Sequence, residues 1–568
     1  MPPPDGMATQ ATLVQGMFVA SRTTHYHALA AIVKVVIEAV RVMKTLYLLA
    51  VSIFIAACLS SALVFAKDAG PREKPNILII LADDLGYGDV QCYNPQRGKI
   101  PTPHIDRLAA GGMRFTDGHS SAGGCTPSRY ALLTGRHDVR NRMEGVGIFA
   151  SFGGPPLIPP ERLTIASLAK QHGYRTACVG KWHVGWTWPI EKSERGLLGI
   201  RTVWEMDDNY QTPPVTPEQL AAWKSVFSRP IGGGPTALGF DSFYGIDMPG
   251  WPPFCFIDND RPIGIPSTFL AATELKKDVS MAASQGPAIA GWDFVSVLPD
   301  MEKRACESIG ALAGSKEPFL VYLPLPSPHH PWAVGPEWRG KSGLGTYADW
   351  VMQTDAAVGK VLAALESSGA AGNTLVFFSS DNGFSGASAT ELTNQGHFSS
   401  GPLRGFKASP YEGGHRVPFI VRWPGVVKPG SVCSQLAQQT DMLATMAEIL
   451  GVKLPDNAGE DSVSLLPLFR DTEKPVREHA INSSGQGAYA MRHGGWKLIV
   501  DTEGKLKTKI QLYNLDEDVG EKNDLAAREP GRVAKMQALL EKIVFDGRST
   551  PGPKQPNDGN LKRFLQKQ

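Results

Sequence analysis

The run Pro75-Asn76-Ile77-Leu78-Ile79-Ile80-Leu81-Ala82 is almost uninterrupted in apolar side chains and stops at two adjacent carboxylates, Asp83 and Asp84. A strand with one wet face alternates apolar and polar residues; one without alternation is buried on both faces. Such a strand needs covering layers above and below it, as in an α/β sheet flanked by helices. A second run of the same shape, Thr374-Leu375-Val376-Phe377-Phe378, ends in Ser379-Ser380-Asp381-Asn382-Gly383. In open parallel sheets ligands collect beyond the carboxyl ends of the strands, so Asp83, Asp84, Asp381 and Asn382 are expected to converge there. Adjacent carboxylates after a core strand are costly without a counter-ion. All four are hard oxygen donors with no thiolate or imidazole among them, which favours calcium or magnesium over zinc.

Between these runs lies Gly123-Gly124-Cys125-Thr126-Pro127-Ser128-Arg129-Tyr130-Ala131-Leu132-Leu133-Thr134-Gly135-Arg136. It reads as a loop feeding a helix: Thr126 as N-cap, Pro127 at the first helical position, about two turns over Ser128–Thr134, and Gly135 as the stop. Cys125 is then expected just ahead of a helix N-terminus, where free N–H groups and the positive dipole end favour a thiolate or a bound oxyanion. Arg129, in the first turn, is close enough to hold such an anion.

Cys-x-Pro-Ser-Arg followed by Leu-Thr-Gly resembles the signature of the sulfatase family, within the alkaline phosphatase superfamily, and the tone of the motifs is closest to arylsulfatase A-like enzymes. Cys125, Pro127, Ser128, Arg129, Leu133, Thr134 and Gly135 match position for position. Asp83, Asp84, Asp381 and Asn382 match the family's metal ligands. Gly180-Lys181-Trp182-His183-Val184-Gly185 resembles its second signature. Ser327-Pro328-His329-His330-Pro331 resembles its Pro-His-x-Pro element, with His329 at the catalytic position; the adjacent His330 leaves that assignment open by one residue. Lys407 matches a lysine after a glycine-rich turn, although Gly405-Phe406-Lys407 stands where many members read Gly-Gly-Lys, so Phe406 is expected to narrow the site. The likeness runs from about Pro75 to about Val544.

The resemblance implies that Cys125 is oxidised to formylglycine by a formylglycine-generating enzyme, and that its hydrate is the nucleophile on sulfur. It implies one divalent cation, calcium ahead of magnesium, held by Asp83, Asp84, Asp381, Asn382 and the modified Cys125. Arg129, Lys181 and Lys407 would hold the sulfate oxygens. Asp381 would accept the nucleophile's proton, His329 helped by Lys407 would protonate the leaving alcohol, and His183 would take a proton in the release step. The implied reaction is hydrolysis of sulfate monoesters, of the arylsulfatase type or on a sulfated glycan. Rivals are a phosphodiester or phosphonate monoester hydrolase of the same superfamily, a non-catalytic exported glycan-binding protein, and a plain thiol hydrolase.

At 568 residues the chain has room for a large catalytic domain and a smaller one. Lys plus Arg number 57 against 55 for Asp plus Glu, so there is no bulk basic field and nucleic acid is excluded as a partner class. The fold expected is α/β: a large domain with a mostly parallel central sheet flanked by helices, over 75–470, and a small C-terminal domain with an antiparallel sheet and a packed helix, over 475–548. Residues 549–568, with Pro551, Pro553 and Pro556, read as a flexible tail. Pro, Gly and Trp crowd the stretch 186–300, read as loops walling the substrate pocket.

Ahead of the catalytic region, 43–66 reads as a signal peptide with Met43-Lys44-Thr45, an apolar core to Phe65 and Val64-Phe65-Ala66 as its cleavage end, preceded by an upstream extension over 1–42. Ile55-Ala56-Ala57-Cys58 resembles a lipoprotein box, so lipid anchoring at Cys58 stands as the alternative to plain export to the periplasm or the exterior. No stable membrane span is expected after processing. Of seven cysteines, removing Cys58 and Cys125 leaves an odd number, and none shows metal-ligand spacing.

Overall fold

The computed structural model describes residues 34, 36–41, 43–44, 74–141, 156–201, 211–271, 275, 283–485, 487–502 and 504–559. The chain divides into a unit through Arg72 and a second unit from Glu73. In the first, the described residues are helical and exposed. Most of the expected signal peptide, and Cys58, lie outside the described residues. Among the described residues no helix is long and apolar enough to cross a membrane.

The second unit is built on strands β1 (Asn76–Ala82), β2 (Met113–Phe115), β3 (Arg175–Lys181), β4 (Ser242–Ile246), β5 (Ile257–Asp258), β6 (Arg261–Pro262), β7 (Phe319–Pro324), β8 (Thr374–Ser380), β9 (Phe419–Arg422) and β10 (Ser431–Cys433). They form one ten-stranded sheet in the order β10-β2-β9-β8-β1-β7-β3-β4-β5-β6. Its centre is parallel: β1 pairs with β7 and β8, β7 with β3, and β3 with β4. β9, on the other side of β8 from β1, runs antiparallel to β8.

Side-chain alternation along β1 divides the core into two layers. Ile77, Ile79 and Leu81 pack on one face with residues of α2 (Cys125–Thr134), α3 (Ile165–Gln171), α4 (Pro217–Phe227) and α7 (Met442–Ile449). Leu78, Ile80 and Ala82 pack on the other with α1 (Pro103–Ala110), α5 (Phe294–Ala313) and α6 (Thr346–Ser367). Both faces of β1 are dry, which is why its sequence does not alternate. Thr164 caps α3 in a capping box with Ser167, and Gly135 ends α2 at φ 64°, a left-handed turn that glycine enters without a Cβ penalty.

A four-stranded antiparallel sheet follows: β11 (His479–Ser483), β12 (Ala488–His493), β13 (Trp496–Asp501) and β14 (Ile510–Asn514), with α8 (Pro530–Phe545) packed on it. Residues 549–559 differ from the loose tail expected of a proline-rich end. Asp558 donates its N–H to Arg140 O at 2.8 Å and accepts from Arg136 Nη1 at 2.9 Å. The six described cysteines are free thiols.

His137, just past α2, illustrates how burial couples this packing to pH. Its imidazole is pushed down to about 4, chiefly by burial and despite Asp461 beside it. The unfolded chain takes up a proton near the ordinary value of about 6.5, which the folded chain refuses down to about 4. Stability is therefore fully present above about pH 6.5 and falls as pH drops towards 4, by up to about 3 kcal/mol from this group. Urea unfolding at pH 7 and pH 5 should show a steeper loss for the wild type than for His137→Gln. Equal losses in the two proteins would refute the assignment.

Candidate active site

Parallel pairing of β1 and β8 places Ala82 opposite Ser380, so the next residues, Asp83 and Asp381, leave the sheet side by side. Asp381 N–H donates to Ala82 O at 3.0 Å, Asp84 N–H to Asp381 Oδ1 at 3.2 Å, and Leu85 N–H to Ser380 Oγ at 2.9 Å. Asp84 is held at φ 65°, a conformation that costs a non-glycine residue about 1–3 kcal/mol and is tolerated where the surroundings impose it. Asn382 Nδ2 donates to Asp84 Oδ1 at 2.7 Å. Gly383 passes so close to the neighbouring loop that a Cβ would lie 1.9 Å from Gly413 O. The four residues expected to converge from two distant segments do converge.

Cys125 is the first residue of α2, with Gly124 as its N-cap. Thr126 does not cap the helix as expected; its hydroxyl lies 3.1 Å from His183 Nε2. The Cys125 thiol donates to Asp83 Oδ1 at 3.5 Å and to Asp84 Oδ1 at 3.9 Å. Burial, then Asp381, push this thiol well above its ordinary range, so the helix N-terminus does not yield the thiolate expected from sequence. A protonated, buried thiol is a poor nucleophile, which counts against a plain thiol hydrolase.

One turn along α2, Arg129 donates Nε and Nη2 to Asp381 Oδ2 at 3.0 and 2.7 Å, and its Nη2 lies 3.5 Å from Asp83 Oδ2. Its Nη1 donates to Lys181 O at 3.1 Å, tying α2 to the end of β3. Lys181 Nζ is 2.5 Å from Asp83 Oδ2, and Lys407 Nζ is 2.7 Å from Asp84 Oδ1. Three carboxylates thus face three basic side chains. Burial raises Asp83, but Lys181, then His329 and Arg129, overcome it and hold the carboxyl well below the usual range. Burial likewise raises Asp84, and Lys407 brings it down. Asp381 goes the other way, pushed up to about 7 by burial and by Asp83.

His329 and not His330 reaches the carboxylates: its Nε2 is 3.8 Å from Asp84 Oδ2, whereas His330 stacks on Trp332. His329 Nδ1 donates to His330 O at 2.6 Å, which leaves Nε2 as the nitrogen facing the site. Burial, then Lys407, push its imidazole down to about 4, so it is neutral near pH 7. His183 sits at φ 54° after β3, fully buried, and burial and Lys181 hold it well below its ordinary value.

Two supporting acids were not legible as such. Asp89 accepts from Gly86 N–H at 2.9 Å and Tyr347 Oη at 2.6 Å, and lies 2.9 Å from His397 Nε2, bracing the turn that carries Asp84. Asp247 is buried just past β4 beside the Trp182–Trp186 turn, its carboxyl pushed up to about 7 by burial. The one sequence cue for Asp89 is that it extends the acidic strand end; its partners are scattered along the chain. Asp247 carries no cue beyond lying at the end of a strand.

Residues that would hold a dication pass a simple test of fit. Asn382 Oδ1 is buried without a hydrogen-bond partner while its Nδ2 is bonded to Asp84, which leaves an oxygen donor free among the carboxylates of Asp83, Asp84 and Asp381. Oxygen donors of this kind suit calcium or magnesium.

Residues 75–452 match the family described as Sulfatase, and residues 406–546 match the C-terminal part of the N-sulphoglucosamine sulphohydrolases. The N-acetylgalactosamine-6-O-sulfatase of Bacteroides thetaiotaomicron is 32% identical over 531 residues, covering 84% of this chain and 94% of that protein. Arylsulfatase A of Bos taurus is 33% identical over 535 residues, covering 88% and 93%. A solved structure from work on glycosaminoglycan metabolism by Bacteroides thetaiotaomicron aligns with TM-score 0.69 at 30% identity, covering 83% of this chain and 99% of that one.

Proposed function

This chain belongs to the sulfatase family and is a sulfuric ester hydrolase, and on that premise we propose that it cleaves sulfate monoesters of a glycan through a formylglycine made from Cys125, after export from the cytoplasm. The observation that carries this reading is the position of Cys125 Sγ, 3.5 Å from Asp83 and 3.9 Å from Asp84, in a buried pocket shared with Arg129, Lys181 and Lys407. The glycan assignment rests on likeness to the N-acetylgalactosamine-6-O-sulfatase.

Asp83, Asp84, Asp381 and Asn382 would hold one divalent cation, calcium ahead of magnesium, which when bound supplies Lewis acidity at a sulfate oxygen and lowers the pKa of the attacking hydroxyl. The hydrate of the Cys125 aldehyde supplies two hydroxyls on one carbon, one to attack sulfur and one to drive release. Asp381, whose carboxyl tends towards protonation, is placed to accept the attacking hydroxyl's proton. Lys181 and Lys407 pair with Asp83 and Asp84, and a cation shared by those carboxylates would leave the two ammonium groups, with Arg129, to the sulfate oxygens. His329 Nε2 faces Asp84 and is the nitrogen able to carry a proton to the leaving oxygen, an anionic ester being what makes protonation of this imidazole favourable. His183, neutral and beside Thr126, is the base available for release.

The test is turnover of sulfate, phosphate and phosphonate esters of one phenol, and of sulfated sugars, by protein whose Cys125 conversion has been verified. Sulfate preference supports the reading; phosphate or phosphonate preference moves the chain to the rival hydrolase class. Binding of sulfated sugars without turnover would favour the glycan-binding alternative. Stripping divalent cations with a chelator should abolish turnover, with calcium restoring it better than magnesium. Asp84→Asn should lower calcium affinity in calorimetry by about tenfold or more. Calcium affinity equal to wild type would remove Asp84 from the ligand set.

A further inference from the structure

Exposure is uneven across the site. The side chains of Asp83, Arg129, Lys181 and Asp381 are 0% exposed, whereas those of His329 and Lys407 are 15% and 13% exposed. The sulfate-binding atoms therefore open to solvent past His329 and Lys407. Immediately before Lys407 stands Phe406, a large apolar side chain left 45% exposed.

Phe406 is firmly held. Its ring meets that of Phe384 edge-on, with centroids 6.0 Å apart and planes at 70°, and Phe384 is buried just beyond Asn382. Gly386 packs against the ring so tightly that a Cβ there would come within 2.6 Å of it. The backbone N–H of Phe406 donates to Ser409 Oγ at 3.2 Å, and Lys407 N–H donates to Phe384 O at 3.0 Å. An aromatic face fixed in this way is preorganised to take the C–H face of a ring, and it gives up unfavourable water contact when it does so.

We propose that Phe406 is a specificity-determining residue: a platform for the apolar face of the ring that bears the sulfate, selecting a pyranose or aryl sulfate over an acyclic alkyl sulfate. This deepens, and rests on, the sulfatase reading. The contact is made to the part of the substrate that does not change during hydrolysis, so it stabilises the ground and transition states alike and acts on KM.

The experiment compares wild type, Phe406→Ala and Phe406→Trp, each with verified Cys125 conversion and matched thermal stability, on N-acetylgalactosamine 6-sulfate, phenyl sulfate and a short alkyl sulfate. Phe406→Ala should raise KM for the two ring sulfates by about tenfold while kcat holds, with little change for the alkyl sulfate, and Phe406→Trp should restore the ring preference. Unchanged KM on both ring sulfates, or a loss confined to kcat, overturns the platform. A wild type that hydrolyses no sulfate ester sinks the hydrolase reading instead; the Kd values of the same ring sulfates for wild type and Phe406→Ala then decide the platform, equal values overturning it.

Discussion

Cys125→Ser should lose steady-state turnover of sulfate esters by on the order of 10³-fold or more, while leaving the fold intact. Cys125 is 1% exposed and its thiol is held by Asp83 and Asp84, so a hydroxyl of similar size keeps the same acceptors. The substituted side chain carries a single hydroxyl: it can take sulfate from an ester once, but it has no second hydroxyl from which to expel it. The expected signature is therefore one sulfate retained on the peptide containing position 125 after exposure to substrate, with turnover stalled. Sustained multiple turnover by this variant would show that the residue is not the nucleophile.

The second large effect is on stability. Arg129→Ala removes the buried cation that bonds Asp381 through two nitrogens and faces Asp83. Breaking a buried ion pair from one side typically costs about 3–5 kcal/mol, because the remaining charge is left without compensation. Asp381 already titrates at about 7 under burial and the Asp83 charge, and without Arg129 it rises further. Below about pH 7 the acid is protonated in both proteins and the difference between them is flat; above it wild-type Asp381 ionises beside Arg129 while the variant's cannot do so without cost, so the penalty of the substitution grows from about pH 7 upward. Arg129→Ala should thus be destabilised more at pH 8 than at pH 5. Adding Asp381→Asn should recover part of the loss at pH 8. A penalty independent of pH, with no recovery in the double variant, would place the effect in packing instead of in Asp381.

The parts of the site that could be read from sequence are those whose chemistry is local. β1 and β8 announce themselves because strands buried on both faces cannot alternate, and each ends in paired oxygen donors that a dry sheet end tolerates only with a compensating charge nearby. The cap of α2 was misread for a physical reason: threonine is a strong N-cap in isolation, but the Thr126 hydroxyl is occupied by His183, a partner 57 positions away, and Gly124 takes the cap. The long helix α5 carries no clear signal because Pro299 interrupts its pattern; the proline is the sixth residue, one turn into the helix, and the packing of Leu298, Ala305 and Ile309 holds the helix through it. Choosing between His329 and His330 required the cleft itself, since adjacent residues on a loop carry no periodicity to separate them. Asp89 gains its meaning from Gly86, Tyr347 and His397, and Asp558 from Arg136 and Arg140, contacts that only the assembled chain brings together.

Mass spectrometry of the peptide spanning Gly123–Arg136, taken from a preparation of known specific activity on a sulfate ester, tests the central claim most directly. An aldehyde in place of the Cys125 thiol, in a fraction of molecules that tracks specific activity from one preparation to the next, is the predicted result. An intact thiol throughout a preparation that turns over sulfate esters at full rate would contradict the account.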